Sequence, residues 1–282
     1  MIKTQPLMPL EENRSDAVTA WRIRFVEHAP SAARVLRRFS DPVKAEAILE
    51  PVSAADLQHP PVEQETVLVA QVLDVASPAA ATLKSDWLGQ APDEEPLLSV
   101  ASGEGRIYWR HGHALVTGDP GSPPDTLLAA ICEFAFYEAH LRELEQSVRA
   151  IEAAAPADTA SAYDIAQQPR AEWQRMATRA KELALLRLAA ARLEPAAYLP
   201  ATDLPPSARR IISRLTSRSG TEERLEALSA RLEACEDLYE GALDRIADGT
   251  WARKGNRLEI AIVILLLIEV LLIVADIALR VR

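Results

Sequence analysis

The stretch Leu258-Glu259-Ile260-Ala261-Ile262-Val263-Ile264-Leu265-Leu266-Leu267-Ile268-Glu269-Val270-Leu271-Leu272-Ile273-Val274-Ala275-Asp276-Ile277-Ala278-Leu279 is nearly all Leu, Ile, Val and Ala. As a helix it runs ~33 Å at ~1.5 Å per residue. That length matches the ~30 Å hydrocarbon core of a bilayer. Arg253, Lys254 and Arg257 precede the run, and Arg280 and Arg282 follow it. The pattern predicts a C-terminal transmembrane anchor.

Glu269 lies near the middle of the run, so its cost has to be weighed. A dozen Leu, Ile and Val residues contribute roughly −4 to −8 kcal/mol on the insertion scale, and one central acid costs about 2.5–3.5 kcal/mol. The apolar sum is larger, so insertion is the expectation. Glu269 and Asp276 are seven residues apart and share a helix face within about 20°. They are read as an intramembrane polar seam that meets another helix. The alternative is an isolated, protonated Glu269 with Asp276 at the headgroups.

The N-terminus, Met1-Ile2-Lys3-Thr4-Gln5-Pro6-Leu7-Met8, has no long apolar run of the signal-peptide kind. The expected topology is therefore single-pass, with the bulk of the chain on the cytoplasmic side. Trp251 beside Arg253 and Lys254 suits an interfacial anchor. Cys132 and Cys235 are too few for a disulfide framework or a metal quartet and read as small buried side chains.

The formal net charge is −10. An acidic chain is a poor general nucleic-acid binder, because phosphate contacts need clustered Lys and Arg. One local exception stands out. Residues 208–218 carry Arg209, Arg210, Arg214 and Arg218 and no acid. This basic patch reads either as an RNA contact or as the exposed side of a short helix near anionic headgroups.

The first part of the chain reads as mixed α and β. Strand signals are Trp21–Val26, Thr66–Leu73 and Leu97–Val100. Arg106–Trp109 and Ala114–Thr117 flank His111-Gly112 as a hairpin. Ser31–Phe39 looks helical, and Asp41-Pro42 reads as the cap and first turn of a second helix.

Beyond Gly118–Asp125 the pattern is helical. Leu127, Ile131, Phe134, Leu141, Leu144, Val148 and Ile151 recur at helical spacing. Pro156 to Pro169 is read as an interruption. A second helix carries Trp173, Met176, Leu183, Leu186 and Leu193 and is expected to stop near Pro195. A third begins near Thr221, with a seam of Leu225, Leu228, Leu232, Cys235, Tyr239, Ala242 and Ile246. Sustained for about three heptads, that seam is a coiled-coil or helical-hairpin contact, within one subunit or between two.

Several pieces of the helical half resemble a known family. Lys181–Leu188, Arg224–Glu233, Asp237–Glu240, Arg257–Ile260 and Ile268-Glu269-Val270 are similar, in order, to segments of the family called required for meiotic nuclear division, also known as domain of unknown function 155. The chain departs from that pattern between Leu193 and Ser219, where Tyr198-Leu199-Pro200 replaces an aromatic pair. The resemblance implies a membrane-associated, helix-rich protein without an established catalytic activity. Eukaryotic members act in mitochondria, one of them supporting translation at the inner membrane.

Motifs for catalysis are missing from the sequence. His111-Gly112-His113 is the only close histidine pair, and it sits at an expected hairpin tip without a third ligand. Gly103-Glu104-Gly105 and Gly118–Gly121 lack the spacing of a phosphate-binding loop. Asp93-Glu94-Glu95 reads as solvated charge. No cofactor, metal or small-molecule substrate is indicated. Trp21, Trp87, Trp109 and Trp173 are expected in the core.

Together these readings predict an α+β protein: a mixed domain at 1–121, a long-helix bundle or coiled coil at 122–252, and a transmembrane anchor at 253–282. The expected function is a non-enzymatic, membrane-anchored scaffold or assembly factor that self-associates through Leu225, Leu228, Leu232, Tyr239 and Ile246. The rival is a membrane-tethered RNA- or ribosome-associated factor.

Overall fold

The computed structural model of the chain describes residues 18–53, 57, 66–88, 96–110, 112–119, 121–160, 170–198 and 202–280; for 170, 172, 249–257 and 270–280 it describes the backbone alone. Seven strands are β1 (Val18–Val26), β2 (Arg34–Phe39), β3 (Ala45–Val52), β4 (Thr66–Val72), β5 (Leu98–Ser102), β6 (Gly105–Arg110) and β7 (His113–Thr117). The helices are α1 (Pro78–Thr82), which runs on into a π-turn at Leu83–Trp87, then α2 (Pro124–Ala160), α3 (Arg170–Tyr198), α4 (Pro206–Arg218) and α5 (Thr221–Arg280). The described elements make an α+β fold.

The chain forms two compact units, each assembled from separate stretches. Unit 1 comprises Met1–Glu145 and Leu188–Leu228; unit 2 comprises Gln146–Arg187 and Ser229–Arg282. The boundary drawn at 121 falls inside unit 1, and that at 252 falls inside unit 2.

Unit 1 is built on one sheet in the order β2-β3-β1-β4-β7-β6-β5, antiparallel except for the parallel pair β4–β7. Side chains alternate across a strand, and the two faces bury different sets. Trp21, Ile23, Phe25, Val67, Val69, Ile107, Trp109, Ala114 and Val116 face the first half of α2 and the apolar side of α4. Leu68, Ala70, Val72 and Leu115 face Ala80 of α1 and Leu88. β4 is buried along its whole length for this reason. Phe136 of α2 stacks on Phe39 at 3.8 Å between centroids, and Phe134 meets Trp109 edge-on at 5.2 Å. Full burial of a side chain such as Ile23 or Phe136 is worth roughly 1.5–3 kcal/mol.

Two sequence expectations fail here. The segment read as helical over Ser31–Phe39 is a strand from Arg34 onward, and the helix expected after Asp41-Pro42 is β3. β3 pairs with β1 on one edge and β2 on the other, which satisfies its backbone. Its Ala, Glu and Leu residues favour helix in isolation, but pairing and burial override a weak propensity. Trp173 is also misplaced: it is exposed.

Unit 2 is helical. Arg231 of α5 meets Glu152 of α2, and Tyr239 meets Asp158, so α5 runs parallel to α2. Arg175 and Arg179 of α3 reach Asp158, while Arg187 reaches Glu236, so α3 runs antiparallel to both. Val148, Ile151, Met176, Leu183, Leu232, Tyr239 and Ile246 are buried. The expected breaks come a few residues later: α2 continues through Pro156 to Ala160, and α3 continues through Pro195 to Tyr198.

The membrane anchor is the main correction. Among the described residues no helix is long and apolar enough to cross a membrane. Within α5, the apolar side chains are described over Leu258–Glu269. That stretch holds Glu259 and Glu269. The transmembrane reading, the single-pass topology and the interfacial role for Trp251 are withdrawn. Glu269 is exposed, and Asp276 lies where only the backbone of α5 is described. Their pairing as an intramembrane seam is withdrawn with the span.

Candidate functional site

α4 creates the most distinctive surface of unit 1. It starts at Pro206, a residue suited to the first turn because its missing N–H has no helical partner there. It ends at Arg218 with Ser219 as its C-cap, and Gly220 follows with φ +62°, a left-handed conformation that turns the chain before α5 begins at Thr221. Ala208, Ile211, Ile212 and Leu215 are buried against the sheet. At helical spacing, Arg210, Ser213, Arg214, Ser217 and Arg218 are then left outward, and all five are exposed.

This outward face borders β5, the last strand of the sheet. Between them lies an open cleft of about 460 Å³, lined by Ser99, Val100, Ala101, Ser213, Arg214, Ser217 and Arg218. A guanidinium nitrogen of Arg214 donates to the backbone carbonyl of Ala101. The hydroxyl of Ser99 is buried without a hydrogen-bond partner. A smaller cleft of about 200 Å³ adjoins the opposite side of Ser213 and Ser217 and is lined by Tyr198, Glu222 and Glu223. Burial, then the negative field of Glu222 and its neighbours, raises the Tyr198 pKa.

Several arginines elsewhere in unit 1 are committed to carboxylates. Arg37 bonds Glu133 and Asp203. Burial alone lowers its pKa, but those two acids outweigh burial and raise it. Arg224 grips Glu138 at 2.8 Å and Glu145 at 2.8 Å, and Arg142 adds a further bond to Glu138. Here too burial is overcome by the acids, and the Arg224 pKa rises. By contrast, Arg209, Arg210, Arg214 and Arg218 make no ion pair among the described residues.

The remaining sequence-predicted positions scatter. Leu225 and Leu228 are buried in unit 1; Leu232, Tyr239 and Ile246 are buried in unit 2. Tyr239 donates to Asp158 at 2.9 Å. Burial, followed by that bond to a carboxylate, holds the phenol well above its ordinary pKa. Cys132 is buried and its pKa is pushed up by desolvation, so its thiolate is suppressed. The ring of His113 meets Trp87 edge-on at 4.9 Å; His111 lies outside the described residues, as do Asp93, Glu94 and Glu95. Among the described residues no group of three His, Cys, Asp or Glu side chains is arranged to hold a metal ion.

Sequence reasoning missed the buried acids Glu133, Glu138 and Asp158. Their signal was weak: acids at otherwise apolar helical positions, with partners far away in sequence. Comparison with protein-family models and with curated proteins finds no match for the chain.

Proposed function

We propose that the protein is a non-enzymatic scaffold or assembly factor that self-associates through the distal part of α5. The observation that carries this reading is the exposure of Leu258, Ile260, Ile262, Val263, Ile264, Leu265, Leu266, Leu267 and Ile268, each about half exposed or more. These residues cover every side of one helix. A helix apolar all round belongs inside something larger, and contiguous apolar surface of this kind marks an interaction site.

A second copy is the occupant that fits. The heptad of Leu225, Leu228 and Leu232 extends in register to Ile260, Val263 and Leu267 on the same helix. Gly249, Arg253 and Asn256 occupy the intervening seam positions and separate the two apolar blocks. The proximal block is buried within its own chain, so the distal block is left for like helices. By the 3-4 spacing Ile260 and Leu267 take a positions and Val263 takes d; a β-branched residue at d shifts preference towards more than two strands, and identical helices cover each other with closed symmetry.

The test is the mass of the intact chain in solution by light scattering coupled to size exclusion. The wild type is expected as a defined oligomer. Val263→Glu with Leu267→Glu is expected to give the monomer mass with an unchanged helical circular dichroism signal. A monomeric wild type at ten micromolar and above, or an unchanged oligomer in the double variant, rejects the proposal.

A further inference from the structure

We infer that the cleft between β5 and α4 binds an acidic peptide in extended conformation, added to the sheet as a strand beyond β5. This inference does not depend on self-association through α5.

The geometry begins with the backbone of β5. In an antiparallel strand the N–H and C=O of one residue point to the same side, and alternate residues point to opposite edges. Among the described residues β5 pairs with β6 alone. The Ala101 carbonyl is reached by Arg214 from α4, so it points away from β6. By alternation the N–H and C=O of Ser99 point the same way. β5 therefore presents a row of pairing groups to the cleft, the arrangement that accepts an incoming strand.

The cleft has the size and chemistry for such a guest. Its volume of about 460 Å³ lies within the ~300–1,000 Å³ typical of ligand sites. One wall is the edge backbone; the other is the polar face of α4. Arg214 and Arg218 are four residues apart on that face, so they sit one turn above each other. Among the described residues no acid lines the cleft. In a chain of net charge −10, where arginines such as Arg37, Arg224 and Arg231 are matched to carboxylates, this local excess of positive charge selects an anionic guest. Side chains of an added strand alternate in direction, so every second residue faces α4. A glutamate or aspartate there meets a guanidinium in the bidentate geometry that arginine favours.

Arg214 has two roles in this picture. Without a guest it satisfies the outward carbonyl of Ala101, which protects the edge from unwanted pairing. With a guest it turns to the carboxylate, and the guest's own N–H takes the carbonyl. Arg218 makes no ion pair among the described residues and is the principal charge contact.

The experiment uses the intact chain and a fluorescein-labelled hexapeptide of alternating valine and glutamate, followed by fluorescence anisotropy. Saturable binding is expected. Arg218→Glu, an exposed change that leaves the apolar face of α4 intact, should weaken binding at least tenfold with no change in melting temperature. A peptide with lysine for glutamate should not bind. A peptide with alternate backbone nitrogens methylated should lose binding although its charge is unaltered. The amides of Ser99 and Ala101 should gain exchange protection when the acidic peptide is added. Equal binding of the methylated peptide would show a charge contact without strand pairing and overturn the inference. So would tighter binding of a single-stranded RNA of equal charge, or no peptide binding at millimolar concentration.

Discussion

The interior carries full charges, and residue-level arithmetic separates those that matter from those that do not. Glu138 is 3% exposed, Glu145 14% and Arg224 26%. Removing Arg224 leaves two carboxylates in a poorly hydrated site without their cation. Breaking a buried pair in this way costs about 3–5 kcal/mol. Arg231 and Glu152 lie at 31% and 34% exposure, where water screens the pair and its worth is about 1 kcal/mol or less. Arg224→Leu should therefore shift the midpoint of urea unfolding far more than Arg231→Leu. Equal shifts for the two variants would contradict the ranking. None of this could be read along the chain, since Arg224 is separated from Glu138 by 86 residues and from Glu145 by 79. An acid within a helical pattern looks solvated until its partner is known.

Among the elements, legibility followed the strength of local pattern. β1, β4, β6 and β7 combine β-branched and aromatic residues with alternation, and the sequence marks them within a residue or three of their ends. β2 and β3 were misread because Ala45-Glu46-Ala47-Ile48-Leu49-Glu50 has helix-forming composition; only its two partner strands hold it extended. The π-turn after α1 was not anticipated, since nothing in Leu83–Trp87 distinguishes it from ordinary helix. The long helices were legible, but they run a few residues past the prolines that were expected to end them. Pro156 was given too much authority: α2 runs through it because Ile151, Ala155 and Thr159 on either side remain buried. The proline still removes one backbone donor and crowds the preceding turn. It is exposed, so replacing it removes no core packing. Pro156→Ala should raise stability by about 1–3 kcal/mol, read as a higher urea midpoint with an unchanged slope. A lower midpoint would mean that the proline shapes the helix in a way the surrounding packing requires.

For the whole molecule, the surface pattern and the interior chemistry give different kinds of evidence. The α4 arginines were visible from composition, but the cleft beside them was not, because it needs β5 brought to the sheet edge next to α4. The apolar run of α5 was equally visible, and its reading as a membrane span rested on its length, its apolar sum and the basic residues that flank it. The buried weak acids add a global consequence that no motif announces. Tyr137 is held at a pKa of about 12, first by burial and then by the charge of Glu133. Burial also raises Cys132 and Cys235, and it raises Tyr239 together with Asp158. A group whose pKa is higher folded than unfolded keeps its proton longer in the native state. Its contribution is complete below the unfolded value, about 8.5 for cysteine and 10 for tyrosine, and is lost as pH rises through the folded value. At the acid end the signs reverse. Arg231 lowers the Glu152 pKa and Arg37 lowers that of Asp203, so their contribution is present above about pH 4 and fades below it. Melting temperature should therefore be flat from about pH 5 to 8 and fall progressively above about pH 9. Tyr137→Phe removes one of the titrating phenols and should make the fall between pH 10 and 12 shallower while leaving the acid limb unchanged. An alkaline limb of identical slope in that variant would show that Tyr137 does not titrate with unfolding.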